Sequence, residues 1–404
     1  MPAYPRNIRW AHIAALVGLD IAIAISWIAY HKYQPNLLEQ FGYADKILYL
    51  AIVQGLVLLV TPPIAGYFAD RIRQKSGERL PVINIGINVV SMVFMVVALT
   101  VFADPNGTLS ALFPVLIVLW LISMNVFHSP AISTVELFVP PTKLPQAMAV
   151  LAVSLDLTYA LEPSIVDLIE YFGGPITFAV GGVLVFGSGW IFSRMVKRLP
   201  KEEVPENENA HGHDHPHSQS DSNSHNHSHD HDHSHDHDHS HSHSHSHSFF
   251  PDRSNFFLVF ILGLGMGIAT TCFFDLFPDW AERARMGFIG GSGMKGTFFI
   301  SLLVAGAALI SYPISIFAER NGVRKTAIAG ALFAAFLIFG LANSTGWIAS
   351  AMFYMYPLAF ATISVTFLPV AFLSLNKRNT VLGVGLFFSG VELAGSVVDI
   401  LQAL

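Results

Sequence analysis

Three carboxylates interrupt otherwise apolar stretches of this chain: Asp20, Asp156 and Glu392. Asp20 follows Arg9 by eleven residues, Asp156 lies about 13 residues into its stretch, and Glu392 about 12 into its own. At 1.5 Å per residue, eleven residues of helix reach ~16 Å, the middle of a ~30 Å hydrocarbon layer. An ionisable group there costs ~2.5 to 3.5 kcal/mol on insertion scales, so each is a candidate functional group. No lysine or arginine falls at the same depth. Protons or another cation must neutralise these acids, which makes them candidate ligands for a coupling ion or a positively charged substrate. The competing reading is structural, with protonated Asp156 and Glu392 bonding to neighbouring helices.

Residues 7 or 11 apart return to nearly the same helix face. Asp20 with His31, Asp156 with Asp167, and Glu392 with Asp399 therefore form three titratable stripes running from mid-membrane outward. Glu162 points elsewhere and precedes Pro163, whose missing N–H permits a kink. Met124, Asn125 and His128 add a thioether and two nitrogen- or oxygen-bearing side chains on a fourth stretch. The candidate substrate or coupling-ion set is Asp20, Asn125, His128, Asp156, Glu162, Glu392 and Asp399. For His128 beside Pro130 a packing role competes, and for Asp167 and Asp399 an ordinary interfacial one. Cys272 reads as a small packing residue.

Between Ala210 and Phe249 stand 16 of the 19 histidines. His225, His227, His229, His231, His233, His235, His237, His239, His241, His243, His245 and His247 alternate with serine, aspartate or asparagine. With nothing apolar to bury, the tract is expected to be disordered. Neutral imidazole binds zinc, nickel or copper, and alternate side chains of an extended strand project to one side. The expectation is a flexible chelator rather than a four-ligand structural zinc site, with an inert polar linker as the alternative. Binding should fade below about pH 6, where imidazole protonates.

The elements that must position these groups are long apolar helices. The 404 residues are 52% hydrophobic and 12% charged, with a mean hydropathy of +0.51. An ordinary soluble globule carries about 25% charged residues. Residues 201–253 hold 11 acids against two bases, and without them the formal charge of −6 becomes +3. One cysteine excludes a disulfide framework. No cleavable signal is visible at the N-terminus.

Eleven runs are long enough to span: 9–31, 47–68, 82–103, 109–131, 144–171, 176–196, 255–277, 296–318, 326–342, 346–375 and 381–403. Arg71, Arg73, Lys75, Arg79, Lys143, Arg194, Lys197, Arg198, Arg320, Arg324, Lys325, Lys377 and Arg378 cluster in alternate connections. The positive-inside rule then puts the N-terminus and the histidine loop in the cytoplasm, and Leu404 outside.

The two halves repeat one another. Ala69-Asp70-Arg71 with Gly77 and Arg79 is answered by Ala318-Glu319-Arg320 with Gly322 and Arg324. Gln34-Pro35-Asn36-Leu37 is answered by Phe277-Pro278-Asp279-Trp280, and Ser154-Leu155-Asp156-Leu157 by Gly390-Val391-Glu392-Leu393. Such repeats are a signature of secondary transporters. By this alignment the second half lacks a counterpart of the sixth span.

Gly66-Tyr67-Phe68-Ala69-Asp70-Arg71 with Gly77, Arg79 and Pro81 resembles the loop between helices two and three of the major facilitator superfamily. The spacing is similar to that of its sucrose and glycoside-pentoside-hexuronide:cation symporter branch. The resemblance implies an all-α membrane protein of two pseudo-symmetric helix bundles, about eleven helices with the twelfth absent, rocking about a central site. Residues 1–198 would form the first bundle, 199–253 the cytoplasmic linker and 254–404 the second. It also implies that Asp70, Arg71, Gly77 and Arg79, with Glu319, Arg320 and Arg324 in the second half, form a gating loop that ties helix ends in one state and releases them in another. The alternative is that these bases only set topology. Span four departs from the sugar branch: its acidic proton-carrying position falls on Leu121, and the arginine after the proline falls on Ile132.

No Walker loop, nucleotide fingerprint or plausible nucleophile is present, so no enzyme and no nucleic-acid partner is expected. The expected partners are the bilayer, protons and a small solute or metal ion. No cofactor is required, apart from zinc or nickel on the histidine loop. The leading expectation is a cation- or proton-coupled transporter of divalent transition metals. A symporter of sugars or another small organic solute, with Trp27, Tyr30 and Tyr159 lining its site, is the alternative, and a non-transporting sensor or scaffold the second.

Overall fold

In lipid every backbone polar group must be satisfied within its own segment, and long uncharged runs meet that demand as helices. In the computed structural model of the protein, residues 5–40, 42–43, 46–103, 112–199, 253–277 and 296–404 are described. The histidine tract and Pro278, Asp279 and Trp280 lie outside them. Thirteen α-helices and no strand occur among the described residues. They are α1 (Trp10–Gln40), α2 (Ile47–Ser76), α3 (Leu80–Phe102), α4 (Phe113–Ser133), the single-turn α5 (Val135–Phe138), α6 (Leu144–Ala160) and α7 (Glu162–Phe172). After these come α8 (Gly174–Val196), α9 (Phe256–Thr271), α10 (Gly296–Asn321), α11 (Val323–Asn343), α12 (Gly346–Phe372) and α13 (Thr380–Ala403). One turn of π-helix, Cys272–Leu276, extends α9.

Ten of these segments are long and apolar enough to cross a membrane, and eleven when α6 and α7 count as one broken span. Three boundaries depart from expectation. α1 runs through Pro35 to Gln40 instead of stopping near residue 31. α2 and α10 continue past the apolar run, so Asp70, Arg71, Glu319 and Arg320 lie on helix rather than in a loop. The fifth span bends by 56° between Ala160 and Glu162, beside Pro163, where the ring cannot donate to the preceding turn. α2 stops where Gly77 takes φ 71° and donates its N–H to Arg73 O at 2.7 Å, a left-handed cap that glycine adopts without steric cost.

Buried side chains gather in two large clusters. One includes Phe94, Trp120, Phe127 and Phe178 of the first half. The other includes Phe273, Tyr356 and Phe360 of the second. Across the halves α2 lies along α13, and α6 along α10. Lipid tails are as apolar as leucine, so such contacts depend on close packing. A Cβ on Gly66 would stand 2.5 Å from Val381 O, and one on Gly385 2.3 Å from Pro62 O. The two helices approach backbone to backbone through these glycines.

Candidate functional site

A cavity of about 250 Å³ opens between the halves at mid-height. Asp20 and Trp27 of α1, Asn125 and His128 of α4, and Asp156 and Tyr159 of α6 line its first-half wall. The second half contributes Thr270 of α9, Phe274 of the π turn, Phe360 and Ser364 of α12, and Phe388 and Glu392 of α13. No lysine or arginine lines it. Five of the seven residues picked out by depth and charge thus face one space.

Their surroundings differ. Asp20 is 3% exposed, with Oδ1 3.4 Å from His128 Nε2, and the His128 ring lies 4.5 Å from that of Phe388. Asn125 donates to Leu121 O of its own helix at 2.9 Å. Asp156 is 5% exposed, and its Oδ2 is buried without a hydrogen-bond partner. Leaving a buried acceptor unmet costs roughly 1–3 kcal/mol, and among the described residues no donor reaches this atom. Tyr159, one turn further on, has Glu392, Glu162, Asp20 and Asp156 as charged neighbours.

Glu162 and Asp399 do not line the cavity. Both are acidic neighbours of Asp275. The proposed stripe of Asp156 and Asp167 is broken: it assumed a straight helix, and the bend carries Asp167 away on α7. Trp27 faces the cavity, but Tyr30 stacks on Trp120 at 4.4 Å and accepts from Gln54 at 2.9 Å. His31 stacks on Trp27 at 5.6 Å. Cys272 is packed in the second cluster. Sequence reasoning passed over Thr270, Phe274, Ser364 and Asp275. Uncharged residues carry no depth signal, and the π turn shifts the helical register on which face assignments rest.

The linker end, where α8 stops and α9 starts, is closed. Asp70 accepts from the N–H groups of Val381 at 3.3 Å and Leu382 at 2.8 Å, the first turn of α13, where unsatisfied donors and the helix dipole favour an anion. Arg73 pairs with Asp70 at 3.3 Å and donates to Lys377 O. Gln74 donates to Arg378 O at 3.0 Å. Arg79 donates to Ser133 O at 2.7 Å, to Ser133 Oγ at 3.1 Å and to Glu136. Gly77 supplies the cap that turns the chain toward Arg79. Arg71 does not join this network: it is exposed and reaches only Tyr67 Oη at 3.4 Å. In the second half Glu319 accepts from Gln146 of α6, Arg324 donates to Leu373 O at 3.4 Å, and Arg320 is exposed. Arg73, Glu136 and Gln146 are partners that their sequence positions did not reveal.

Helix pairs crossing between two halves, closed at one end and hollow at the middle, define a multi-pass membrane carrier. The family model described as Major Facilitator Superfamily matches residues 13–398, and the chain belongs to that superfamily. Among solved structures, a bacterial homologue of the iron transporter ferroportin in an outward-facing state is similar in fold. It has a TM-score of 0.63 and 10% identity, covering 97% of this chain and 91% of that one. The human organic anion transporter MFSD10 (TETRAN) gives 0.62 and 14%, covering 98% and 93%. A peptide transporter, POT, in complex with sulfate gives 0.54 and 10%, covering 97% and 88%. No curated protein sequence matches.

Proposed function

We propose that the protein is a secondary active transporter working by alternating access, coupled to protons or another cation, and that its cargo is a divalent transition-metal ion such as zinc, nickel or cobalt. The observation that carries this reading is the Asp20–His128 pair in a cavity that also holds Asp156 and Glu392 and no basic side chain except that imidazole. Imidazole with carboxylate is donor chemistry these ions accept. Among the described residues no group of three or more His, Cys, Asp or Glu is already gathered as a metal site. A cargo ion in this state would therefore keep part of its water shell, which suits release better than a closed tetrahedral cage does. In this reading residues 1–198 and 254–404 rock as units, and the linker-end network shuts the cytoplasmic side. The histidine tract on the linker captures or senses the ion.

Reconstituted vesicles with internal metal- and pH-sensitive dyes test it, with zinc, nickel, cobalt and a disaccharide offered in the presence and absence of a proton gradient. Metal flux stimulated by the gradient, lost in Asp20→Asn and His128→Ala, is the expected result. Deleting residues 211–248 should leave the flux and change its metal dependence. Disaccharide flux without metal flux overturns the reading.

A further inference from the structure

Much of the remaining cavity wall is aromatic. Phe274 on the π turn meets Tyr159 of α6 at 5.5 Å between ring centres and Phe360 of α12 at 6.3 Å. Tyr159 stands three residues after Asp156, and Phe388 four before Glu392, spacings that place each ring beside its acid on one helix face. Asp156 adds the buried oxygen without a partner. Small dications do not need such a wall. They hold their water tightly, and ring faces cannot replace it.

A ring face attracts a cation within about 6 Å of its centre, most strongly when both are desolvated. An organic cation with apolar substituents loses little hydration on entry and gains from apolar burial. Its charge would also meet carboxylates that the chain leaves without lysine or arginine. We propose that Tyr159, Phe274, Phe360 and Phe388, with Asp156 and Glu392, bind amphipathic organic monocations of the quaternary ammonium or phosphonium type as a second class of cargo. The inference rests on reading this cavity as the cargo site.

Equilibrium dialysis of labelled tetraphenylphosphonium against the purified full-length protein tests it, with labelled tetraphenylborate, of the same shape and opposite charge, dialysed in a separate experiment. Saturable binding of the phosphonium and none of the borate is expected. Phe274→Leu with Phe360→Leu, which keeps apolar bulk and removes the ring faces, should weaken it by roughly 3- to 30-fold. Asp156→Asn with Glu392→Gln should weaken it by at least about tenfold, as expected for charges facing a desolvated cation. Absence of saturable binding to the wild-type protein, equal saturable binding of tetraphenylborate in its own dialysis, or unchanged binding in the charge-neutralised variant overturns the proposal. The wild-type comparison needs no variant to fold. Phosphonium binding without metal flux removes the metal reading alone, and metal flux without phosphonium binding removes this one alone.

Discussion

Two sets of buried charges sit at different heights in the molecule and are treated in opposite ways. At the linker end Asp70 has two backbone N–H groups and Arg73, Arg79 has Ser133 twice and Glu136, and Glu136 has both arginines. In the cavity Asp20 has one imidazole contact at 3.4 Å, and Asp156 keeps an oxygen without a partner. Taking a charge out of water costs several kcal/mol unless geometry and hydrogen bonds repay it. The linker-end charges are largely met by the chain, and they tie parts of the protein to one another. The cavity acids meet fewer partners among the described residues. Extent of pairing, more than burial or charge alone, separates the two sets.

The largest effect should come from breaking a completed set. Arg79→Leu leaves the Glu136 carboxylate with Arg73 at 3.7 Å and removes the donor to two acceptors on Ser133, and removing one partner of a buried pair costs about 3–5 kcal/mol. A clear drop in the melting temperature of the purified protein is expected. Asp156→Leu, of similar volume, should leave melting unchanged or raise it while removing gradient-driven flux. If both substitutions destabilise alike, the cavity acid is a structural group and the distinction fails.

Next comes Asp70→Asn. It replaces a charged acceptor for two N–H groups at the start of α13 by a neutral one, and hydrogen bonds to charged groups contribute ~1.5–3 kcal/mol. At about 1.4 kcal/mol per tenfold change, the closed linker end should lose roughly one to two decades of its preference. Distances between spin labels on the linker-end turns of α2 and α13 would report the shift. The second half offers the weaker counterpart, a single bond from neutral Gln146 to the partly buried Glu319. Gln146→Ala should therefore shift the same preference less than Asp70→Asn does. The repeated A-D-R and A-E-R motifs are equivalent in sequence, yet among the described residues the first engages more partners than the second.

The sequence carried the spans, the mid-depth acids and the kink at Pro163, because each is a local violation of an apolar pattern. Asp20, Asp156 and Glu392 could be found by depth counting alone, and His128 by its rarity in such a run. Asp167 was placed wrongly because face arithmetic assumes a straight helix, and a single bend cancels it. Phe274 and Asp275 were unreadable for a related reason, since a π turn adds a residue to the register without any residue type announcing it. Glu136 and Gln146 act through contacts with distant segments, 57 and 173 residues away in sequence, and no spacing rule reaches that far.

The smallest effect is expected at Arg71, and its near absence is informative. The motif that Arg71 shares with Asp70 and Arg79 suggests a common role. Its guanidinium is nevertheless exposed, one turn from Tyr67, and makes only a 3.4 Å contact with that hydroxyl. Exposed pairings of this kind are screened and contribute little. Arg71→Gln should leave the α2 to α13 label distances and the melting temperature at wild-type values. If it opens the linker end as far as Asp70→Asn does, the closure depends on summed charge at the membrane edge rather than on which donors each acceptor meets. Salt decides between the two. A charge-sum closure loosens as ionic strength rises and exposed charges are screened. One built on Asp70 buried against the first turn of α13 holds.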